Sequence, residues 1–206
     1  MWILGKIKYN GFVVSRRKQK SLNNAGSWRS WRFWRNLLFY FLFFSYIGHF
    51  IEMAWAWIAH LVTGRELMTN ILANPFEPYT IYGLGAVLCV VIGRPILRRF
   101  NHHIVATFLV TTLICAALEY ISSVILTWRY GSNPYWDYSD RPFNLGGHIC
   151  LTNSLLFGLI ATLFLKLIYP QTEKFLWRGN QILINSMLVV LIGLFIGYYA
   201  CGAGVF

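Results

Sequence analysis

Five long apolar runs restrict this chain more than any other feature does. They cover about residues 37–61, 80–97, 104–127, 149–169 and 182–203. A helix needs about 20 apolar residues to cross a hydrocarbon core of about 30 Å. Lipid offers no hydrogen bonds, so every backbone N–H and C=O in such a run must be satisfied within the segment itself, as a helix does. The runs therefore predict an all-α, polytopic transmembrane helix bundle of about five spans. The second run has 18 residues, close to the lower limit for crossing, and Pro95 lies near its end.

Composition points the same way. Charged residues make up 12% of the chain and hydrophobic ones 57%, whereas a soluble domain carries about 25% charged residues. The net charge of +11 would suit nucleic acid, but its placement does not. Nine of the 18 Lys and Arg lie within residues 1–36, ahead of the first apolar run. A basic block beside a membrane segment sets topology first and attracts anionic lipid second. The chain thus divides into a basic cytoplasmic tail, 1–36, and a helix bundle, 37–206. The first run is too long for a signal-peptide core and lacks a small-x-small cleavage site, so it reads as a retained anchor.

Orientation follows from the same count. With the N-terminus cytoplasmic, the inner segments hold fifteen Lys and Arg, and the outer loops hold only Arg65, Arg129 and Arg141. The positive-inside rule then puts the N-terminus in the cytoplasm and, after five spans, the C-terminus outside. The end of the tail places Trp28, Trp31 and Trp34 at every third residue, with Arg29, Arg32 and Arg35 beside them. On a helix this makes an aromatic stripe flanked by a cationic one. Indole rings favour the headgroup zone and Arg reaches toward phosphate, so the segment reads as an anchor on the lipid bilayer surface.

Two acids, Glu52 and Glu119, fall inside apolar runs. An ionised side chain at membrane depth costs about 2.5–3.5 kcal/mol on insertion scales, so such residues face the bundle interior and find partners, or stay protonated. Gly48 and His49 lie on or beside the helix face that carries Glu52, and Cys115, Ser122 and Ser123 share a polar flank with Glu119. Either each Glu ties two helices together, or both line one site for a substrate, a proton or an ion.

A second polar constellation runs from Tyr135 to Cys150, immediately before the fourth run. Irregular backbone near a membrane is buried in protein or lines a wet cavity. Asp137, Asp140 and Arg141 are placed to pair within this loop, Asn144 to cap the following helix, and Tyr138 and His148 to face a site below. The segment is then an ordered external loop, or a lid over a cavity containing the two acids. At the start of the second run, Gly83 and Gly85 are suited to close helix approach.

Several of these blocks together resemble a family. They are Tyr46-Ile47-Gly48 through Glu52, Pro78 through Gly83, Leu118-Glu119-Tyr120, and above all Trp136-Asp137-Tyr138-Ser139, Pro142-Phe143-Asn144-Leu145 and Ile149-Cys150-Leu151. Over about residues 37–170 they resemble the bacterial putative ABC-transporter type IV proteins, small permease-like membrane proteins. His49 stands where that family usually has Trp, and Gly146-Gly147-His148 where it has Asn-Gly-Arg. The resemblance implies a transporter component of the bacterial inner membrane. No phosphate-binding GxxxxGK[ST] motif occurs in the chain, so an ATPase would be a separate subunit.

Three functions remain open at this level. One is a transporter or permease component with Glu52, Glu119, His49, Asp137, Tyr138, Asn144 and His148 lining its path. Another is a membrane-embedded enzyme acting on a lipid-like substrate, with Glu52 or Glu119 as general acid or base. A third is a non-catalytic membrane partner subunit. No cofactor is implied. No metal site is expected either, because neither HExxH nor a CxxC pair is present and the four cysteines are far apart.

Overall fold

The computed structural model describes residues 6–9, 12–15, 30–64, 77–101 and 103–201. The chain divides into two units, 1–39 and 40–206. In the first, β1 (Lys6–Tyr9) pairs antiparallel with β2 (Phe12–Ser15), Lys6 opposite Ser15 and Tyr9 opposite Phe12. The basic tail thus holds a two-stranded pair that its charge pattern gave no reason to expect.

Five helices are long and apolar enough to cross a membrane. They are α1 (Trp31–Thr63), α2 (Thr80–Arg99), α3 (Ile104–Tyr130), α4 (Leu151–Arg178) and α5 (Gln181–Ala200). All five expected runs are helical, and their bounds differ from the apolar runs in instructive ways. Helix α1 begins six residues early, at Trp31, so the aromatic stripe is continuous with the span. Helix α4 does not stop near Tyr169. It continues to Arg178, and the loop expected over about 170–180 shrinks to Gly179 and Asn180. Asn180 caps α5 by accepting hydrogen bonds from the Ile182 and Leu183 amides at 2.9 and 3.3 Å.

Proline explains how α2 and α4 run on. Pro95 and Pro170 each remove one helix hydrogen bond and push their rings toward the carbonyl four residues back. Both helices answer with a wider π-turn directly ahead of the proline's neighbour, Cys89–Gly93 in α2 and Phe164–Ile168 in α4. The Arg94 amide bonds to the Cys89 carbonyl, and the Tyr169 amide to the Phe164 carbonyl, five residues back in each case. The wider turn accommodates the ring and keeps the helix continuous.

Small and hydroxylated residues set the helix contacts. In lipid there is little hydrophobic drive between helices, so close packing and interhelical hydrogen bonds hold them together. The most extensive interface joins α3 to α4. There the Thr111 hydroxyl donates to the Gly158 carbonyl at 3.0 Å and lies 3.0 Å from the Thr162 hydroxyl. Between α1 and α2, Gly83 lies against the Phe41 carbonyl and the Ser45 hydroxyl, and Gly48 against the Tyr82 ring. The Tyr79 amide donates to the Ser45 carbonyl at 3.0 Å, which pins the start of α2 to α1. Gly85 was expected to share this role. It does not: the nearest atom to a Cβ there would be 3.7 Å away, an ordinary contact.

Between α3 and α4 the chain forms a compact loop. Its two-residue strands β3 (Asn144–Leu145) and β4 (Ile149–Cys150) pair antiparallel. At Gly147 the backbone is left-handed (φ 74°), and a Cβ would lie 2.6 Å from the Ser139 hydroxyl. Only glycine meets both demands.

Candidate functional site

Glu52 sits in α1, and its carboxyl accepts a hydrogen bond from the Tyr82 hydroxyl of α2 at 2.5 Å. A carboxyl at this depth needs a donor, and Tyr82 is held in position because its ring lies against Gly48, one turn before Glu52. Tyr82 also meets the Phe157 ring of α4 edge-on, with centroids 6.1 Å apart.

Glu119 lies in α3 and is 4% exposed. Its Oε1 accepts from the Tyr138 hydroxyl at 2.9 Å. Asn153 of α4 donates to the same tyrosine oxygen at 2.7 Å. The chain of donors thus runs from α4 through the 131–148 loop to α3. The second oxygen of Glu119, Oε2, is buried and has no hydrogen-bond partner. Glu52 and Glu119 interact electrostatically, and Tyr82 interacts with Glu52, Glu119 and Tyr138.

The loop above is built around its own polar groups. Asp137 Oδ1 accepts from the Ser139 hydroxyl at 2.6 Å and the Ser139 amide at 2.9 Å. These two bonds hold the Asp137 carboxyl below its ordinary range. Burial raises the Tyr138 phenol, and the Glu119 carboxylate adds to the effect. Asn144 does not cap α4. Its amide donates to the Ser139 and Arg141 carbonyls at 3.2 and 2.8 Å and its Oδ1 accepts from the Gly147 amide at 3.0 Å, so it closes the turn instead. The residue at the start of α4 is Cys150, which makes no side-chain cap. The expected pairing of Asp137 or Asp140 with Arg141 does not form either. Among the described residues the salt bridge present is Arg94–Glu173, elsewhere in the bundle.

A family model for the putative ABC-transporter type IV proteins matches residues 39–200. The chain belongs to this family. Comparison with curated proteins and with solved structures gave no match. In this family member the matched region contains both acids, the loop and all the groups that bond to them.

His49 and His148 of this ABC-transporter type IV family member differ in their settings. The His148 Nδ1 lies 2.8 Å from the Ser123 hydroxyl, and its carbonyl accepts from the Trp136 indole at 3.0 Å. Its ring meets Tyr120 edge-on at 5.4 Å. It therefore ties the loop to α3 beside Glu119. His49 is 1% exposed, and neither ring nitrogen has a partner. It stacks on Tyr79 with centroids 5.4 Å apart. Tyr79 is in turn pushed up to about 12 by burial, with Glu77 and Glu52 adding to it. Tyr198 of α5 and Glu77 interact electrostatically, so the last helix reaches the same end.

Sequence reasoning missed Tyr82, Asn153 and Glu77. The signal for Tyr82 was present, since a buried Glu one turn from a glycine requires a donor from whichever helix that glycine admits. In the expected interface segment, Trp31 and Trp34 are 75% and 56% exposed. Arg35 is instead buried, with its guanidinium donating to Asn36 Oδ1 at 2.9 and 3.2 Å. The cationic stripe is thus narrower than expected, because Arg35 follows the helix inward. Trp28 and Arg29 lie outside the described residues.

Proposed function

We propose that this protein is a transport component of a bacterial cytoplasmic membrane, with Glu52 and Glu119 lining its polar path beneath the 131–148 loop. The observation that carries the reading is the bond from Tyr138 to Glu119. A loop residue reaches a carboxyl that is 4% exposed, so loop movement and access to that carboxyl are mechanically the same event. Buried carboxyls within membrane spans mark ion, proton or substrate routes far more often than simple ties.

On this reading Tyr138 closes the route from outside and Tyr82 holds Glu52 toward it. His49, Asp137, Asn144 and His148 shape the entrance. The basic tail and the Trp31 and Trp34 face rest on the inner leaflet, and the C-terminus lies outside. A nucleotide-hydrolysing partner is a separate chain, and it meets the inner end of the bundle, where α4 extends as the Tyr169–Arg178 segment.

The test is charge movement across reconstituted liposomes on a solid-supported membrane. Concentration jumps of inorganic ions, amino acids and organic cations should give a transient current for at least one class. Glu52→Gln and Glu119→Gln should abolish it while the protein stays monodisperse. Currents of normal size in both variants would overturn the reading.

A further inference from the structure

We propose that the Glu52–Glu119 site takes an organic ammonium cation. This rests on the reading above that the two carboxyls form one site, and it adds the chemistry of what enters.

The donors and acceptors decide the sign of the ligand. Both tyrosine hydroxyls already donate to carboxyls, Tyr82 to Glu52 and Tyr138 to Glu119. Asn153 donates to Tyr138. An anion would find two carboxyls and, among these groups, no donor but the second N–H of Asn153. The unmet capacity is an acceptor: Glu119 Oε2 is buried, bonded to nothing, and belongs to the carboxyl that Tyr138 and Tyr82 face. A ligand that supplies an N–H meets that lack, and a buried acceptor left unmet is costly.

The surroundings favour an organic cation over a metal ion. Tyr82 and Tyr138 meet the carboxyls through their hydroxyls, and the Phe157 ring stands edge-on to Tyr82, so the carboxyls have aromatic neighbours that an organic group can pack against. Among the described residues no group of three His, Cys, Asp or Glu side chains gathers to hold a metal ion, whereas hard cations require several oxygen ligands. The approach is acidic as well. Five of the seven acidic residues, Glu52, Glu77, Glu119, Asp137 and Asp140, lie in or around this end, against Arg129 and Arg141 in the described loop region. Such a field concentrates cations at the entrance. The ammonium group can belong to a free amine or to a lipid headgroup.

The experiment is isothermal titration calorimetry of the full chain in phosphatidylglycerol nanodiscs. Methylammonium should bind, more tightly than tetramethylammonium, which has no N–H for Glu119 Oε2. Acetate should give no binding heat. Glu119→Gln should weaken methylammonium about tenfold or more, because a charge-assisted bond is lost. Tyr138→Phe, which keeps the ring, covers the case where Glu119→Gln fails to fold, and should weaken binding about threefold or more. Glu173→Gln removes one acid far from the two carboxyls, where it pairs with Arg94, and should leave the affinity unchanged. Weaker methylammonium binding in discs with added phosphatidylethanolamine identifies the lipid as a source of the cation; unchanged binding identifies the free amine. No heat with either ammonium ion, or equal binding of acetate, overturns the proposal. Transport currents driven only by anions or neutral solutes and lost in Glu119→Gln would also overturn it while leaving the transport reading intact. Ammonium binding with no current for any solute would overturn the transport reading instead.

Discussion

The Tyr138 hydroxyl donates to Glu119 Oε1 at 2.9 Å and accepts from Asn153 at 2.7 Å. One loop side chain therefore links α3 and α4 at the level of a buried acid. Tyr138→Phe removes both bonds and leaves the ring, and Glu119 then has neither oxygen bonded. The variant should unfold about 1–3 kcal/mol more easily, measured by denaturant unfolding in detergent. Asn153→Ala should cost less, since Glu119 keeps its donor. Equal costs would mean that the Glu119 bond contributes nothing of its own.

The α1–α2 contact predicts a contrast between two glycines two residues apart in the same helix. A methyl at Gly83 collides with the Phe41 backbone carbonyl, which cannot rotate away, whereas a methyl at Gly85 makes an ordinary contact 3.7 Å from Leu118. Gly83→Ala should destabilise by about 1–3 kcal/mol or more through overpacking. Gly85→Ala should be neutral or slightly stabilising, because alanine favours helix. Thermal unfolding of the two variants side by side checks this, and equal melting points would contradict the close approach.

The end of the bundle that carries the two π-turns yields a third expectation. Arg94 donates to both oxygens of Glu173 at 2.7 and 3.2 Å, and also to the Tyr169 hydroxyl, whose ring lies 5.0 Å from the guanidinium. The two π-turns deliver Arg94 and Tyr169 to this meeting point. The pair is 28% and 29% exposed, so screening reduces its worth to about 1 kcal/mol. A double-mutant cycle with Arg94→Gln and Glu173→Gln should return a coupling of about that size, shrinking in high salt. Strict additivity would show that the pair is only adjacent.

The spans were legible because five apolar runs leave a backbone in lipid no other form. The ends were less so. Pro170 reads as a stop, yet α4 passes through it, because the π-turn ahead of it makes room for the ring. Glu173 carried no local signal, since its partner Arg94 lies 79 residues away. Within the site, Glu52 and Glu119 stood out as charges in apolar runs. Tyr82 and Asn153 did not, because a tyrosine or an asparagine near a span end is ordinary until the neighbouring carboxyl is placed. Asn144 fitted a helix cap by position, but the left-handed Gly147 turned the chain so that its side chain closes the loop.

The Asp137 carboxyl gives a pH expectation with a definite sign. Its folded value is held below the ordinary one by the Ser139 hydroxyl and amide. Such a group supports the folded loop at pH above its unfolded value, and that support is lost as pH falls through the folded value. The loop should therefore loosen on the acid side. Ser139→Ala removes the hydroxyl and should move the Asp137 titration upward, toward an ordinary aspartate. Carbon-detected NMR of labelled aspartate reads this directly, and an unmoved titration would assign the shift to something other than Ser139.

His49 separates stability from function. It is 1% exposed, stacked on Tyr79, and both its ring nitrogens lack partners. An imidazole buried this way costs the fold, since each polar nitrogen has lost water and gained nothing. Phenylalanine keeps a flat ring for the stack and removes both nitrogens. His49→Phe should therefore stabilise the protein by about 1–2 kcal/mol. If the histidine serves the transport path proposed above, the same variant should lose its currents while melting higher, the pattern expected where a strained polar group is kept for activity. A variant that melts higher and conducts normally would leave His49 as a packing residue. A variant that melts lower would show that the nitrogens do find partners in the membrane.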